Sequence, residues 1–288
     1  MTPLVPPSGM TDREFDVFRT LVRQETGIAL GPHKRTLLEA RLTKRLRALQ
    51  LPTFSAYHGY LHHLDASGDE RRRFVNAVTT NETAFFREPT HFAHLRSAWL
   101  PARLAVGEPQ RLRAWSAACS SGEEPYSIAM TLLAGLDAAA QWDLRILATD
   151  IDTDVLGRAT TAIYPQEAVA RVPPEHLRRF FLRGVGPRQG TVRVHRDVRH
   201  LVTFRRLNLQ DATWPIRTSF DLIFCRNVLM YFDRPTQAHL VARLQRMLAP
   251  HGLLVLGHAE NLLGLGTSMQ RVTSTIYRHP EDACDRPS

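Results

Sequence analysis

The 288-residue chain reads as an α/β protein with an N-terminal all-α domain and a mainly parallel sheet covered on both faces by helices. A small antiparallel β-subdomain is inserted in the sheet domain. Three observations predict this. Residues 1–80 place apolar side chains at helical spacing. From about residue 110, short apolar strands alternate with helices. Between Ile163 and His200 that alternation breaks at Pro165, Pro173, Pro174, Gly184, Gly186, Pro187 and Gly190, and Thr191–His195 alternates as a half-buried antiparallel strand does. At roughly 150 residues per domain the length agrees with two domains, large enough to bury a core without a disulfide or metal staple.

Thr11 and Glu14 form a capping box for the first helix, Phe15, Phe18 and Val22 face inward, and Gly27 closes it. The second helix runs from about His33 to Leu49. Leu38, Leu42, Leu46 and Leu49 make its apolar stripe, and Lys34, Arg41, Lys44, Arg45 and Arg47 occupy most of the other side. With Glu39 the one anion against five cations, this face suits an acidic partner helix better than simple solvation. A third helix follows Thr53, with Phe54, Tyr57 and Leu61 inward, and a fourth covers about Glu70 to Thr80. Strands are expected at Leu112–Ala117, Leu144–Ala148, Leu201–Leu207, Phe220–Cys225 and Gly252–Gly257. Helices are expected at Pro125–Leu136, Thr153–Thr161 and Arg234–Leu248. The boundaries follow: residues 1–80 helical, 81–108 a linker and connecting helix, 109–278 the sheet domain with its insert at about 163–200, and 279–288 a disordered tail.

The 37 basic side chains exceed the 28 acidic ones by nine, and all but Lys34 and Lys44 are arginine. The excess is local. Residues 1–80 carry 12 basic against 8 acidic side chains and residues 158–206 carry 11 against 3, which leaves the remainder slightly acidic. Two basic surfaces for acidic partners are implied. Three scattered cysteines argue against a disulfide scaffold and for a reducing compartment. The start has neither the basic cluster nor the apolar core of a signal peptide, and no apolar run is long enough to span a membrane.

Parallel sheets bind ligands beyond the carboxyl ends of their strands, so the polar residues there are the candidates. After the first strand comes Ala117-Ala-Cys-Ser-Ser-Gly122, then Glu123-Glu-Pro-Tyr-Ser127. Pro125 suits the first position of the next helix and makes Glu124 its N-cap. One glycine and two carboxylates would repel a pyrophosphate but welcome an ammonium. Asp150 ends the second strand, at a separation from Gly122 where a carboxylate accepts ribose hydroxyls. A ribose site with an ammonium partner and no pyrophosphate cradle suggests S-adenosylmethionine.

Four segments then carry a resemblance: Thr80-Asn-Glu-Thr-Ala-Phe-Phe-Arg-Glu88; Trp115-Ser116 with Ser121–Ser127; Ala148-Thr-Asp-Ile-Asp152; and Phe224-Cys-Arg-Asn-Val228 with Met230-Tyr-Phe-Asp233. Together they resemble the CheR-type chemotaxis receptor methyltransferases, over nearly the whole chain to Gly257-His-Ala-Glu-Asn261. The resemblance implies a Rossmann-like doubly wound S-adenosylmethionine-dependent methyltransferase that esterifies receptor glutamates, cytoplasmic and recruited to membrane-bound receptor arrays. It implies cofactor contacts at Asn81, Thr83 and Arg87 in the joining segment, Glu124 in the glycine loop (with Glu123 adjacent) and Asp150 on the ribose. It further implies Asn208 and Leu209 at the adenine side, Arg226 and Asn227 at the methionine end and substrate mouth, and Arg87 and Tyr231 beside the transferred methyl. No metal is implied. Receptor helices would dock on Lys34, Arg41, Lys44 and Arg45, and some family members bind a short receptor C-terminal peptide at the insert's strand edge.

The chemistry is coherent with these residues. A glutamate side chain has a pKa near 4.3 and is already the nucleophile at pH 7, so no triad is needed. Arg87, Arg226 or Tyr231 can place it. A nucleic-acid methyltransferase acting on amino groups would carry an Asn/Asp-Pro-Pro-aromatic signature where this chain has Arg226-Asn227. A degenerate, purely tethering adaptor would not keep its polar strand ends intact. His58, His62 and His63, without a third ligand nearby, read as a solvated helix face. His91 and His94 read as helix-surface residues, and Cys119 and Cys225 as small buried side chains.

Overall fold

The computed structural model describes residues 9–105, 111–136 and 142–279. Its N-terminal domain packs α1 (Asp12–Thr26), α2 (Arg35–Leu49), α3 (Phe54–His63) and α4 (Asp69–Val78). The capping box and the left-handed Gly27 cap of α1 are both formed. A 3₁₀ turn, Pro32–Lys34, takes the place of the expected first turn of α2. Phe18 lies against Phe54, Tyr57 and Phe74 at ring separations of 5.9–6.3 Å, and the stripe Leu38, Leu42, Leu46 closes the core.

Residues 81–88 cross to the second domain without regular structure. Then α5 (Pro89–His94), a π-helical turn (Leu95–Trp99) and α6 (Leu100–Ala105) follow end to end. The sheet domain runs β1 (Arg111–Ala117), α7 (Glu123–Gly135), β2 (Asp143–Asp150), α8 (Thr153–Thr161) and then the insert. The insert holds β3 (Ile163–Pro165), α9 (Pro174–Phe180), β4 (Phe181–Arg183) and β5 (Thr191–Val194), and α10 (Arg196–Arg199) leads out of it. The sheet resumes with β6 (Val202–Arg206), β7 (Phe220–Phe224), α11 (Arg234–Met247), β8 (Leu248–Val255), β9 (Gln270–Arg271) and β10 (Ile276–Arg278).

Strand order is β6-β2-β1-β7-β8-β10-β9. The first five strands of that order are parallel, and the short β10 and β9 are antiparallel. Chain order reverses at β1, which lies between β2 and β7, so the crevice opens over the ends of β1 and β7. The insert is a separate antiparallel sheet, β3-β5-β4. Its Tyr164, Phe180, Phe181, Val192 and Val194 share one apolar cluster with Leu112, Ile146 and Phe224 of the main sheet, which makes it a buttress with no core of its own.

Two expectations are corrected. Gly122, with φ 97°, is the N-cap of α7, not Glu124, which puts both glutamates inside the first turn. A Cβ at Gly122 would also lie 2.9 Å from the Ala159 Cβ and the Tyr164 hydroxyl, so glycine is needed for both its dihedral and its space. The alternating pattern also missed β9 and β10, which are too short to show a period. The tail expected at 279–288 lies outside the described residues apart from His279, as do residues 106–108 of the expected linker.

Candidate functional site

A cavity of about 580 Å³ lies between the N-terminal domain and the carboxyl ends of the strands. Asn81, Thr83, Arg87, Glu124, Asp150, Asn208, Leu209, Arg226, Asn227 and Tyr231 all line it. Five separate stretches of chain supply these residues, and the topological switch beside β1 is what brings them together.

The loop after β1 is shaped by left-handed residues at Ala118 (φ 66°), Ser120 (φ 49°) and Gly122. It thereby turns the Ser120 N–H onto Asp150 Oδ2 at 2.8 Å, and Asp152 N–H reaches Oδ1 at 2.9 Å. Burial pushes Asp150 up to about 6, with the Asp152 charge adding and these amides opposing. It is therefore ionised at pH 7, with lone pairs left for hydroxyl donors. Glu124 accepts the Ser116 hydroxyl at 2.7 Å. Burial lifts its carboxyl above the ordinary range against the pull of Arg226. Glu123, held by the Ser121 hydroxyl at 2.8 Å, is off the cavity wall. Of the two adjacent glutamates, then, Glu124 faces the cleft.

Arg226 is a buried hub. Its Nη1 meets Glu124 Oε2 at 3.2 Å, and its Nη2 donates to Glu88 Oε2 at 2.9 Å and to the Arg87 carbonyl at 2.6 Å. Burial alone would raise Glu88, but the guanidinium outweighs it and the carboxyl sits below its usual range. Asn227 (φ 58°) donates its N–H to Glu260 Oε2 at 2.8 Å, and Gly257 N–H shares that oxygen at 2.7 Å. Glu88, Asp152 and Glu260 were not singled out from the sequence. Each lies within a polar segment of the sequence, Thr80–Glu88, Ala148–Asp152 and Gly257–Asn261, and that proximity is the one available signal.

Asp152 ties the domains. Its Oδ2 accepts Asn81 Nδ2 at 2.6 Å and the Thr79 hydroxyl at 2.9 Å, while Asn76 and Thr153 exchange two bonds beside it. On the far wall Ala29 N–H donates to the Tyr231 carbonyl at 2.8 Å, and Asn208 Nδ2 to the Glu25 carbonyl at 2.8 Å. The α1–α2 connection is thus one side of the cleft. Arg87 donates to the Glu82 carbonyl at 2.8 Å, and no carboxylate of the described residues pairs with it.

The basic face of α2 divides. Lys34 and Arg41 line the cavity and Lys44 is exposed. Arg45, expected on the docking face, instead turns inward: its Nε and Nη2 hold both oxygens of buried Glu70 at 2.8 and 2.7 Å, where the Tyr57 hydroxyl also donates. His91, expected on a helix surface, is buried against the Thr275 hydroxyl at 2.7 Å. Burial, reinforced by Arg226, drops it to about 4, so it is neutral. Cys119 and Cys225 are buried, and burial raises both thiols well above reactive range. His91, Glu88 and His258 are the one His/acid trio of the described residues close enough to share an ion, and there Glu88 is already held by Arg226.

Comparison with known proteins agrees with this geometry. The family model described as the CheR methyltransferase SAM-binding domain matches residues 81–278, and the CheR all-alpha domain matches residues 13–79. The chain is 44% identical over 269 residues to chemotaxis protein methyltransferase 2 of Pseudomonas aeruginosa, covering 93% of each. It is 42% identical over 274 residues to the chemotaxis protein methyltransferase of Escherichia coli, covering 95% of this chain and 93% of that one. With both of its domains matched, the chain belongs to the CheR methyltransferase family, and its second domain is an S-adenosylmethionine-binding domain.

Proposed function

We propose that this protein transfers a methyl group from S-adenosylmethionine to glutamate side chains on the cytoplasmic helices of chemotaxis receptors, giving glutamyl methyl esters and S-adenosylhomocysteine. The observation that carries the reading is the meeting of Asp150, Glu124, Arg87 and Tyr231 on one cavity wall. Buried acids there suit a cofactor with a ribose and two cationic centres. When bound, that cofactor supplies an electrophilic methyl on a sulfonium.

The chain's own residues then bind and position. Asp150 accepts ribose hydroxyls, Glu124 takes the ammonium, and Asn208 and Leu209 border the adenine. Asn81 and Thr83 close the joining segment over the cleft. Arg226 acts mainly by holding Glu124 and the Arg87 backbone in place, since its Nη1 and Nη2 are already engaged by those partners and Glu88. Arg87, free of any ion pair among the described residues, steers the incoming carboxylate, and the Tyr231 hydroxyl places it without neutralising it. No base is called for, because the nucleophile is ionised at pH 7. Orientation of this kind can supply up to about 7–11 kcal/mol.

Receptor helices would lie along α2, touching Lys34, Arg41 and Lys44, so that a glutamate descends beside Tyr231. The finer proposal is that a receptor C-terminal peptide adds to the edge strand β4, which is supported by exposed Leu182 and Val185 beside it. No described helix is long and apolar enough to cross a membrane, and we place the protein in the cytoplasm at receptor arrays. Incubation with radiolabelled S-adenosylmethionine and receptor-bearing membranes tests the reading. Label on receptor released by mild base is expected, while base-stable label or label in nucleic acid overturns it.

A further inference from the structure

A second cavity, of about 450 Å³, lies behind the segment Ala84–Pro89, between α5 and the insert's α9. Its wall combines Phe86, Phe92, Arg87, Arg96, Arg171 and His176. None of the three arginines has a carboxylate partner among the described residues, and the one acid on the wall, Glu88, is held by Arg226. His176 is only 7% exposed, yet its Nδ1 has no hydrogen-bond partner, and its ring meets Phe86 edge-on at 5.3 Å. Burial keeps that imidazole neutral at pH 7, so it can offer an N–H without adding charge. The two residues that flank Arg87, Phe86 (φ 52°) and Glu88 (φ 57°), are both left-handed non-glycine residues on this cavity's wall. Such strained conformations cluster where function requires them.

We propose that this cavity binds a small organic dianion bearing a flat ring, of the nucleoside monophosphate class. The volume falls in the range of small-ligand sites, roughly 300–1,000 Å³. A phosphate monoester carries about −1.5 to −2 at pH 7, which matches the unpaired guanidinium forks of Arg96 and Arg171. The rings of Phe86 and Phe92 supply the aromatic wall for the base. Arg87 lines both cavities, so occupancy of the second acts on the residue proposed above to steer the substrate carboxylate. That consequence rests on the methyltransferase reading, whereas the binding site itself does not.

The test uses the full chain saturated with S-adenosylhomocysteine, which blocks the cofactor cleft, titrated calorimetrically with AMP, inorganic phosphate and adenosine. AMP is expected to bind at least tenfold tighter than either fragment. The Arg96→Ala/Arg171→Ala double variant is expected to weaken AMP at least tenfold, with S-adenosylhomocysteine affinity and AMP-free turnover unchanged. Absence of AMP binding, equal affinity for phosphate, or an unaffected double variant overturns the site. Receptor methylation is expected to shift at least twofold with AMP in the wild type and not in the double variant. Turnover insensitive to AMP overturns the coupling through Arg87.

Discussion

Arg226, at the end of β7, reaches Glu88, at the head of α5, with Nη2 and Oε2 2.9 Å apart and both side chains largely out of water. This pair, together with the Arg226 bond to the Arg87 carbonyl, joins the segment that carries Arg87 to the strand end that carries Asn227. Breaking a buried pair costs about 3–5 kcal/mol when the other charge is left unpaired, and less here, because Arg226 keeps Glu124 at 3.2 Å. Glu88→Gln keeps the shape and loses the charge. It is expected to lower the thermal midpoint and to cut kcat by at least tenfold, with a smaller change in S-adenosylhomocysteine affinity measured by calorimetry. Equal losses in both would assign Glu88 to ground-state binding instead.

Asp150 gives the cleft a pH dependence whose sign is fixed. Burial raises it from an ordinary 3.8 to about 6, so below pH 6 it is protonated and loses acceptor capacity for ribose hydroxyls. S-adenosylhomocysteine affinity should therefore fall as pH drops through 6. In the ligand-free protein the folded state holds this proton more tightly than the unfolded chain. Its contribution to stability therefore falls as pH rises from about 4 to 6. Asp150→Asn should flatten both profiles and weaken binding about 10–100-fold, the worth of hydrogen bonds to a charged acceptor at about 1.5–3 kcal/mol. A pH-independent affinity in the wild type would remove Asp150 from the ribose.

Asp152 latches the joining segment to the β2–α8 corner and also caps α8 by accepting Asp154 N–H at 2.8 Å. Asp152→Ala forfeits a cap worth about 1 kcal/mol and two bonds worth about 1 kcal/mol each. Differential scanning should show a midpoint lower by several degrees. Hydrogen exchange should show faster opening of residues 76–83, with the centre of the sheet unaffected.

Neighbouring cations on α2 should behave oppositely. Arg45→Ala leaves Glu70, 3% exposed, without its guanidinium, and should destabilise the fold by about 3 kcal/mol. Lys44→Ala, on the exposed face, should leave the thermal midpoint unchanged and raise KM for receptor. A midpoint equally low in both variants would contradict the inward placement of Arg45.

The legible part of this molecule was what repeats or punctuates. The capping box at Thr11, the Gly27 stop, the inward stripe of α2 and the strand ends at Asp150 and Asn208 each announce themselves through a period or a special residue. The rest depended on which way a side chain turns. Arg45 sits on a basic face in sequence, yet the turn of the helix carries it to Glu70 on the neighbouring α4. His91 looked like a surface residue because nothing local says that Thr275, just before β10, and His258 cover it. Glu88 and Glu260 went unseen as organisers because their partners, Arg226 and the Asn227 amide, come from a strand end remote from both along the chain.

The most direct test of positioning without a base is the single-turnover rate of receptor methyl-ester formation by Arg87→Ala, at saturating S-adenosylmethionine and pH 7.5. If Arg87 steers the carboxylate, the rate at saturating cofactor falls by about 100-fold, the scale of misplacing reacting groups by about 1 Å. A rate equal to that of the wild type would contradict the account.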